Sequence, residues 1–356
     1  MSIDKLREEI DSIDYKLIEL LNARAHVVVE IGKLKSKTNG PVYVPDREKA
    51  VLEKITSLNK GPLSNETLKA IWRELMSGSF NLEKSLRVAY LGPQGSFSHA
   101  VAMLKFGKSI DYESVADIRA IFSEVSKGHS DLGVVPIENS AGGGVIESLD
   151  AFVNSDVMIC GEVYMTIHHN LLANCQLSQI EEVYSKPEVF AQCRNWLSAT
   201  FKEAKTIPVA SSARAAQIAA EKPNAAAIGS AIAGELYGLK IICENIEDIT
   251  NNVTRFLVIS KADAKPTGDD KTSMLFSTAH KAGALVDVLE VFRSYGLNLS
   301  NIESRPSKKR EWEYYFFVDF FGHREQENVK TALNDAHKHC LQLSVLGSYP
   351  KNVNLL

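Results

Sequence analysis

Arg24 interrupts an otherwise aliphatic helical stripe: Leu6, Ile10, Ile13, Leu17 and Leu20 precede it, and Val27, Ile31 and Leu34 follow. A guanidinium in an apolar seam is strongly unfavourable unless it meets an anion. Lys35 lies about 20° away around the same helix at 100° per residue, and so shares its face. Ser79 fills a seam slot of a later helix, and Glu83 follows four residues on along the same face. Arg7 is placed to reach the pocket of an antiparallel second chain, while Arg47 and Glu48 open the next helix. Cations, a hydroxyl and an acid converging on a bundle interior suit a small polyanion, because guanidinium forks grip carboxylates. A second cluster stands in "ITNNVTRFLVIS", where Asn252, Thr254 and Arg255 lead into the apolar run from Phe256. Glu138, Asn139 and Ser140 precede the loop Gly142-Gly143-Gly144, and Gly92, Gly95 and Ser96 mark a strand-to-helix turn whose free amides suit an anion.

Three kinds of element must position these groups. Residues 1–85 read as all helix. The first helix carries a 4-3-4-3 seam for about four heptads, roughly 50 Å at 1.5 Å per residue. It has no partner of its own length in this region, which predicts an intertwined bundle with a second chain. Residues 86–261 alternate short apolar runs with helical patterns, the mark of a two-lobed α/β domain with a mainly parallel sheet. Residues 262–271 form a charged Pro/Gly linker. Residues 272–356 follow a βαββαβ order, the ferredoxin-like α+β arrangement. A chain ending near Lys261, if soluble, is therefore expected to keep the activity of the central domain.

Composition narrows the class. The chain has 356 residues, 45% hydrophobic and 24% charged, with a net charge of -4, so nothing points to nucleic acid. No stretch approaches the roughly 18 apolar residues of a membrane span. Five scattered cysteines show neither a disulfide framework nor zinc spacing, and a cytoplasmic location is expected. That sets aside the glycosylation sequon Asn252-Val253-Thr254. Neither a metal nor a cofactor is expected, and the missing GxGxxG turn argues against a nicotinamide.

"LREEIDSIDYKLIELLNARAHVVVEIGKLK" followed by "PDRE" resembles the all-helical chorismate mutase family across residues 4–84. "YLGPQGSFSHA", "VVPIENSAGGGV" and "NNVTRF" together resemble prephenate dehydratase over about residues 86–260. "GALVDVLEVF" and "ESRPS" resemble the phenylalanine-binding form of the ACT domain. The whole chain is thus similar to a bifunctional chorismate mutase–prephenate dehydratase, an enzyme of phenylalanine biosynthesis with feedback inhibition by L-phenylalanine.

The resemblance implies roles. Arg24 of one chain and Arg7 of the other hold the carboxylates of chorismate, with Arg47 in support. Lys35 and Glu83 donate to the ether oxygen, while Glu48 and Ser79 position the ring and its hydroxyl. Many fused members carry Asp where this chain has Val44. In the dehydratase Thr254 donates to the departing oxygen, Arg255 or the amides near Ser96 hold a carboxylate, and Phe256 walls the ring. Asn139 and Ser140 face Thr254 across the cleft, with Glu138 beside them. Gly283, Ala284, Leu285, Val286, Asn298, Glu303, Ser304, Arg305 and Pro306 are the implied effector contacts, and the assembly is a homodimer or larger. The alternative is a non-catalytic amino-acid-binding regulator, which leaves Arg24 and Lys35 without a purpose.

Overall fold

The computed structural model describes residues 2–38, 40–140, 142–307 and 313–352. The expected C-terminal domain therefore includes residues 308–312 and 353–356, which lie outside the described ones. The chain divides into two compact units: Met1–Val44 with Val51–Leu86 and Phe106–Asp111, and Pro45–Ala50 with Arg87–Lys105 and Tyr112–Leu356.

The first unit is helical. Helices α1 (Ile3–Thr38), α2 (Pro45–Leu58) and α3 (Asn65–Glu83) appear where the periodicity places them, although α2 is shared between the units. Ser64 caps α3 by accepting from the Thr67 amide. Val44 caps α2 with no side-chain bond, since valine has no acceptor to offer. Pro45 at the first helical position, with Asp46 and Glu48 in the first turn, offsets this. Gly32 lets α1 and α3 approach closely, because a Cβ there would stand 2.9 Å from Glu83 Cα. The aliphatic stripe of α1 that carries Arg24 is largely open: Leu6, Ile10, Ile13, Leu17, Leu20, Val27, Ile31 and Leu34 are 41% to 67% exposed.

The second unit holds three sheets. Strands β1 (Arg87–Leu91), β2 (Asp111–Val115), β3 (Leu132–Asn139), β4 (Gly143–Gly144) and β5 (Met158–Thr166) build the first lobe. Strands β6 (Asn170–Ala173), β7 (Glu182–Ser185), β8 (Lys205–Pro208), β9 (Ala225–Gly229) and β10 (Lys240–Cys243) build the second. The chain then returns as β11 (Val253–Ser260), which enters the first sheet between β3 and β5 in the order β2-β1-β3-β11-β5. This return makes the sheet mixed rather than mainly parallel: β1 runs parallel to β3, while β11 is antiparallel to both its neighbours. The second sheet, β10-β6-β9-β7-β8, is likewise mixed.

Strands β12 (Asp270–Ser277), β13 (Leu299–Pro306), β14 (Tyr314–Phe321) and β15 (Gln342–Pro350), with helices Ala284–Ser294 and Glu327–His337, complete the expected βαββαβ domain. Its sheet order is β13-β14-β12-β15. One face packs on its own helices through Phe276, Phe292 and Phe320. The other enters the first lobe's core, where Leu275, Tyr315, Phe317, Leu346 and Tyr349 pack with Leu257, Ile259 and Ile159. The approach is close enough that a Cβ on Gly347 would collide with the Ile159 backbone. All five cysteines are free, and among the described residues no helix is long and apolar enough to cross a membrane.

This shared core bears on the solubility of a chain cut in the linker. A linker is legible in composition, but a core common to both sides of it is not. Cutting near Lys261 exposes Leu257 and Ile259 and removes the partners of buried charges. Such a chain is expected to aggregate on expression rather than yield folded dehydratase, as soluble yield and a thermal melt beside the full chain would show.

Candidate active sites

In the helical unit the polar groups anticipated from spacing meet. Arg24 Nη1 donates to Ser79 Oγ at 2.6 Å, and Ser79 Oγ donates in turn to the Leu75 carbonyl at 2.6 Å. Lys35 Nζ lies 2.8 Å from Glu83 Oε2, with the glutamate side chain only 11% exposed. The register of α1 against α3, set by Gly32, brings both pairs together across one helix contact. Arg7 is exposed and lies 3.7 Å from Asp4; the pocket it was expected to reach belongs to a second chain. Arg47 is exposed. Glu48 carries a partner the sequence did not suggest, Lys105 Nζ at 2.7 Å.

In the two-lobed region Thr254 stands directly opposite Asn139 across the β11–β3 ladder. Asn139 Nδ2 donates to Thr254 Oγ1 at 2.8 Å and to Asn252 Oδ1 at 2.7 Å. The carbonyl of the Asn139 side chain accepts from the Gly142 amide, fixing the glycine loop. With Thr254 accepting from Asn139, its hydroxyl hydrogen is not used in that bond. Ser140 does different work from that expected. Its hydroxyl donates to the Asn251 carbonyl and accepts from the Val253 amide, closing the mouth of the strand. Glu138 is half-buried in the ladder opposite Arg255 and Gly144.

Arg255 and Phe256 correct the sequence reading. Successive strand residues face opposite ways, so Thr254 and Arg255 do not share a cleft. Arg255 is buried, with Nε on Glu162 Oε2 at 2.9 Å, Nη1 on Asp319 Oδ2 at 2.5 Å and Nη2 on the Tyr349 hydroxyl at 2.9 Å. Each nitrogen has a protein partner, and at 5% exposure the group offers no open face to a substrate carboxylate. Burial opposes its charge, but its acidic neighbours Tyr349, Asp319 and Glu162 outweigh that and hold it protonated. Phe256 is 2% exposed and offers no open ring face. The amides near Ser96 are also engaged, the Gly95 amide with His99 Nδ1 and the Ser96 amide with the Pro93 carbonyl.

Sequence reasoning missed the rest of the Thr254 network. Asn252 Nδ2 donates to Gln192 Oε1 at 3.3 Å, and His169 Nε2 lies 2.7 Å from the same oxygen. An oxygen that accepts from Asn252 requires the proton on His169 Nε2. Burial pushes the His169 and His99 rings below their usual range. Glu247 bonds His168 Nδ1 and the His169 amide; burial raises its carboxyl, but these two bonds outweigh that and hold it low. Beside the network lies a groove of about 630 Å³ lined by Gly142, Gln192, Arg194, Asn195 and Asp248 among others, within the usual size for small ligands. The available signal was "KPEVFAQC" after a strand, a short motif whose Gln192 nothing in the sequence tied to Thr254.

The expected effector residues split between two faces of β13. Glu303 and Arg305 are half-buried: a Cβ on Gly144 would stand 3.1 Å from the Glu303 carboxylate, and Arg305 Nη2 is 3.8 Å from Asp150. Ser304 and Pro306 are exposed, as is Asn298 just before the strand. Gly283, with φ of +82°, caps the helix that Ala284, Leu285 and Val286 begin; Ala284 is buried, Leu285 half-buried and Val286 exposed.

The comparisons with known proteins agree with this layout. Residues 6–84 match chorismate mutase type II, residues 88–264 prephenate dehydratase and residues 272–338 the ACT domain. These define a multidomain enzyme with two catalytic parts and a ligand-sensing type of C-terminal domain. The bifunctional chorismate mutase/prephenate dehydratase of Aquifex aeolicus (strain VF5) is 47% identical over 354 residues, which cover 98% of each chain. That of Stutzerimonas stutzeri is 43% identical over 355 residues, covering 98% of this chain and 97% of its own. A solved prephenate dehydratase from Arthrobacter aurescens, in complex with L-Phe, is 33% identical, with a TM-score of 0.69, over 75% of this chain and 90% of that one. The chain belongs to the bifunctional chorismate mutase/prephenate dehydratase family.

His169, His99 and Glu247 share one pH consequence. A group whose folded pKa is depressed gives stability that is complete above its unfolded value and lost as pH falls toward the folded one. For the histidines that window opens below about pH 6.5. The thermal midpoint is therefore expected to fall between pH 7.5 and 5.5, and His169→Gln to show a smaller fall, as calorimetry at both pH values would measure.

Proposed function

We propose that Arg24, Lys35, Ser79 and Glu83 carry the rearrangement of chorismate to prephenate, and that Thr254 and Asn139 carry the conversion of prephenate to phenylpyruvate. The first reaction is pericyclic and needs no nucleophile. Catalysis consists of holding the folded conformer and stabilising charge that builds on the ether oxygen. Arg24 is the carboxylate fork, kept in line by Ser79. Lys35, set by Glu83, donates to the ether oxygen.

The second carboxylate requires another cation, and Arg7 of a second copy is the proposed source. The open seam of α1 supports that copy. Covering eight half-exposed aliphatic side chains is worth roughly 1 kcal/mol each, or on the order of 15 kcal/mol for two protomers, against an association cost of about 4–15 kcal/mol. A homodimer or a higher assembly built on it follows.

In the second reaction the ring carboxylate leaves as carbon dioxide. Its bonding pair moves through the ring and expels hydroxide, which must be met by a donor. The single observation that carries this reading is the Asn139 to Thr254 bond at 2.8 Å, which fixes the hydroxyl oxygen and does not use its hydrogen. Arg194, lining the adjacent groove, is the proposed cation for a substrate carboxylate in place of Arg255. L-phenylalanine is proposed to bind the C-terminal domain at the Gly283–Val286 turn and the exposed face of β13, lowering dehydratase activity.

The two reactions should separate by mutation. Arg24→Met is expected to lower mutase kcat/KM by at least a hundredfold and leave prephenate turnover within twofold. Thr254→Val should lower dehydratase kcat at least tenfold with the mutase unchanged. Absorbance assays with chorismate and with prephenate, run on both variants without a nicotinamide, distinguish the outcomes; parental dehydratase rates in Thr254→Val would remove that residue from the mechanism.

A further inference from the structure

Four buried charges lie where the C-terminal sheet meets β11. Arg255, Lys271, Glu162 and Asp319 are each 6% exposed or less. Glu162 accepts from both Arg255 Nε at 2.9 Å and Lys271 Nζ at 2.8 Å. Asp319, from β14, takes Arg255 Nη1 through one oxygen and the Ser273 hydroxyl through the other, both at 2.5 Å. A carboxylate only accepts, so the Ser273 hydrogen points to Asp319, and the Ser273 oxygen must accept from the Tyr349 hydroxyl 2.7 Å away. Tyr349 in turn accepts from Arg255 Nη2 at 2.9 Å. The hydrogen bonds close into a ring in which two donor paths leave Arg255 and converge on Asp319: one through Tyr349 and Ser273, the other direct.

The ring clamps one residue of β11 onto three residues of the C-terminal sheet, and the clamped residue is the chain neighbour of Thr254. A strand peptide is stiff, and neighbouring side chains project on opposite faces. Fixing the guanidinium on one face therefore fixes the angle at which Thr254 presents its hydroxyl on the other. The bulge of β11 against β3 falls between Arg255 and Phe256, where the ladder alone holds register least well. From these observations we infer that Asp319 is a positioning residue of the dehydratase: it anchors Arg255, and through the Thr254–Arg255 peptide it aims the leaving-group donor. This rests on the reading of Thr254 given above.

The test uses the full chain. Asp319→Asn keeps size and one acceptor oxygen but removes the charge that orients the guanidinium. Dehydratase kcat is expected to drop at least fivefold while KM for prephenate and both mutase constants stay within twofold. Placed on Thr254→Val, the same substitution should cost less than twofold further, because a residue that acts through the hydroxyl has nothing left to aim. Should Asp319→Asn not fold, Tyr349→Phe opens the ring by a single hydroxyl, and the same pattern is expected at about threefold. An unchanged kcat in the folded ring variant, or losses that multiply in the double variant, would overturn the inference. Parental activity in Thr254→Val alone would instead remove the donor reading on which it rests.

Discussion

The buried guanidinium of Arg255 is the constraint from which the dehydratase half is organised. An unpaired cation at that depth is prohibitive, and removal of one partner from a buried ion pair costs about 3–5 kcal/mol. Two carboxylates must therefore reach it, and they come from separate sheets: Glu162 from β5 and Asp319 from β14. Lys271 balances the second negative charge at Glu162. The C-terminal domain is thus locked to the first lobe by charge as well as by the apolar core around Tyr349 and Phe317. Arg305 beside Asp150 and Glu303 beside Gly144 add further contacts between the C-terminal sheet and the first lobe.

The helical half obeys a different constraint. One helix of 36 residues packs on α3 near Gly32 and carries an aliphatic stripe that stays largely open. The α1–α3 contact aligns Arg24 with Ser79 and Lys35 with Glu83. Arg24 lies within the same stripe as the open aliphatic residues, so a change of helical phase would disturb both the polar pairs and the stripe.

The legibility of the sequence follows from how far each interaction reaches. The heptad seam, the Ser64 cap and the βαββαβ order depend on local periodicity, and they are found within a few residues of where the pattern puts them. Arg24 was legible because it violates a local pattern. The Thr254–Arg255 split was also legible in principle, since strand alternation alone separates the two, but the motif drew both into one cleft. Gln192 and His169 were not legible, because they meet Asn252 only through the return of β11 across the lobes. The mixed sheet has the same origin. The shared core was hidden for a related reason: the Pro/Gly composition of residues 262–271 signals a linker and says nothing about what packs across it.

If the ring at Arg255 joins the two domains, they should open together. Native-state hydrogen exchange of the full chain, followed peptide by peptide at rising denaturant, reads this directly. Amides of β11 and of β12, β14 and β15 are expected to exchange through one cooperative opening with a common free energy and denaturant dependence. Strands of the C-terminal sheet exchanging at much lower denaturant while β11 keeps its protection would contradict the account.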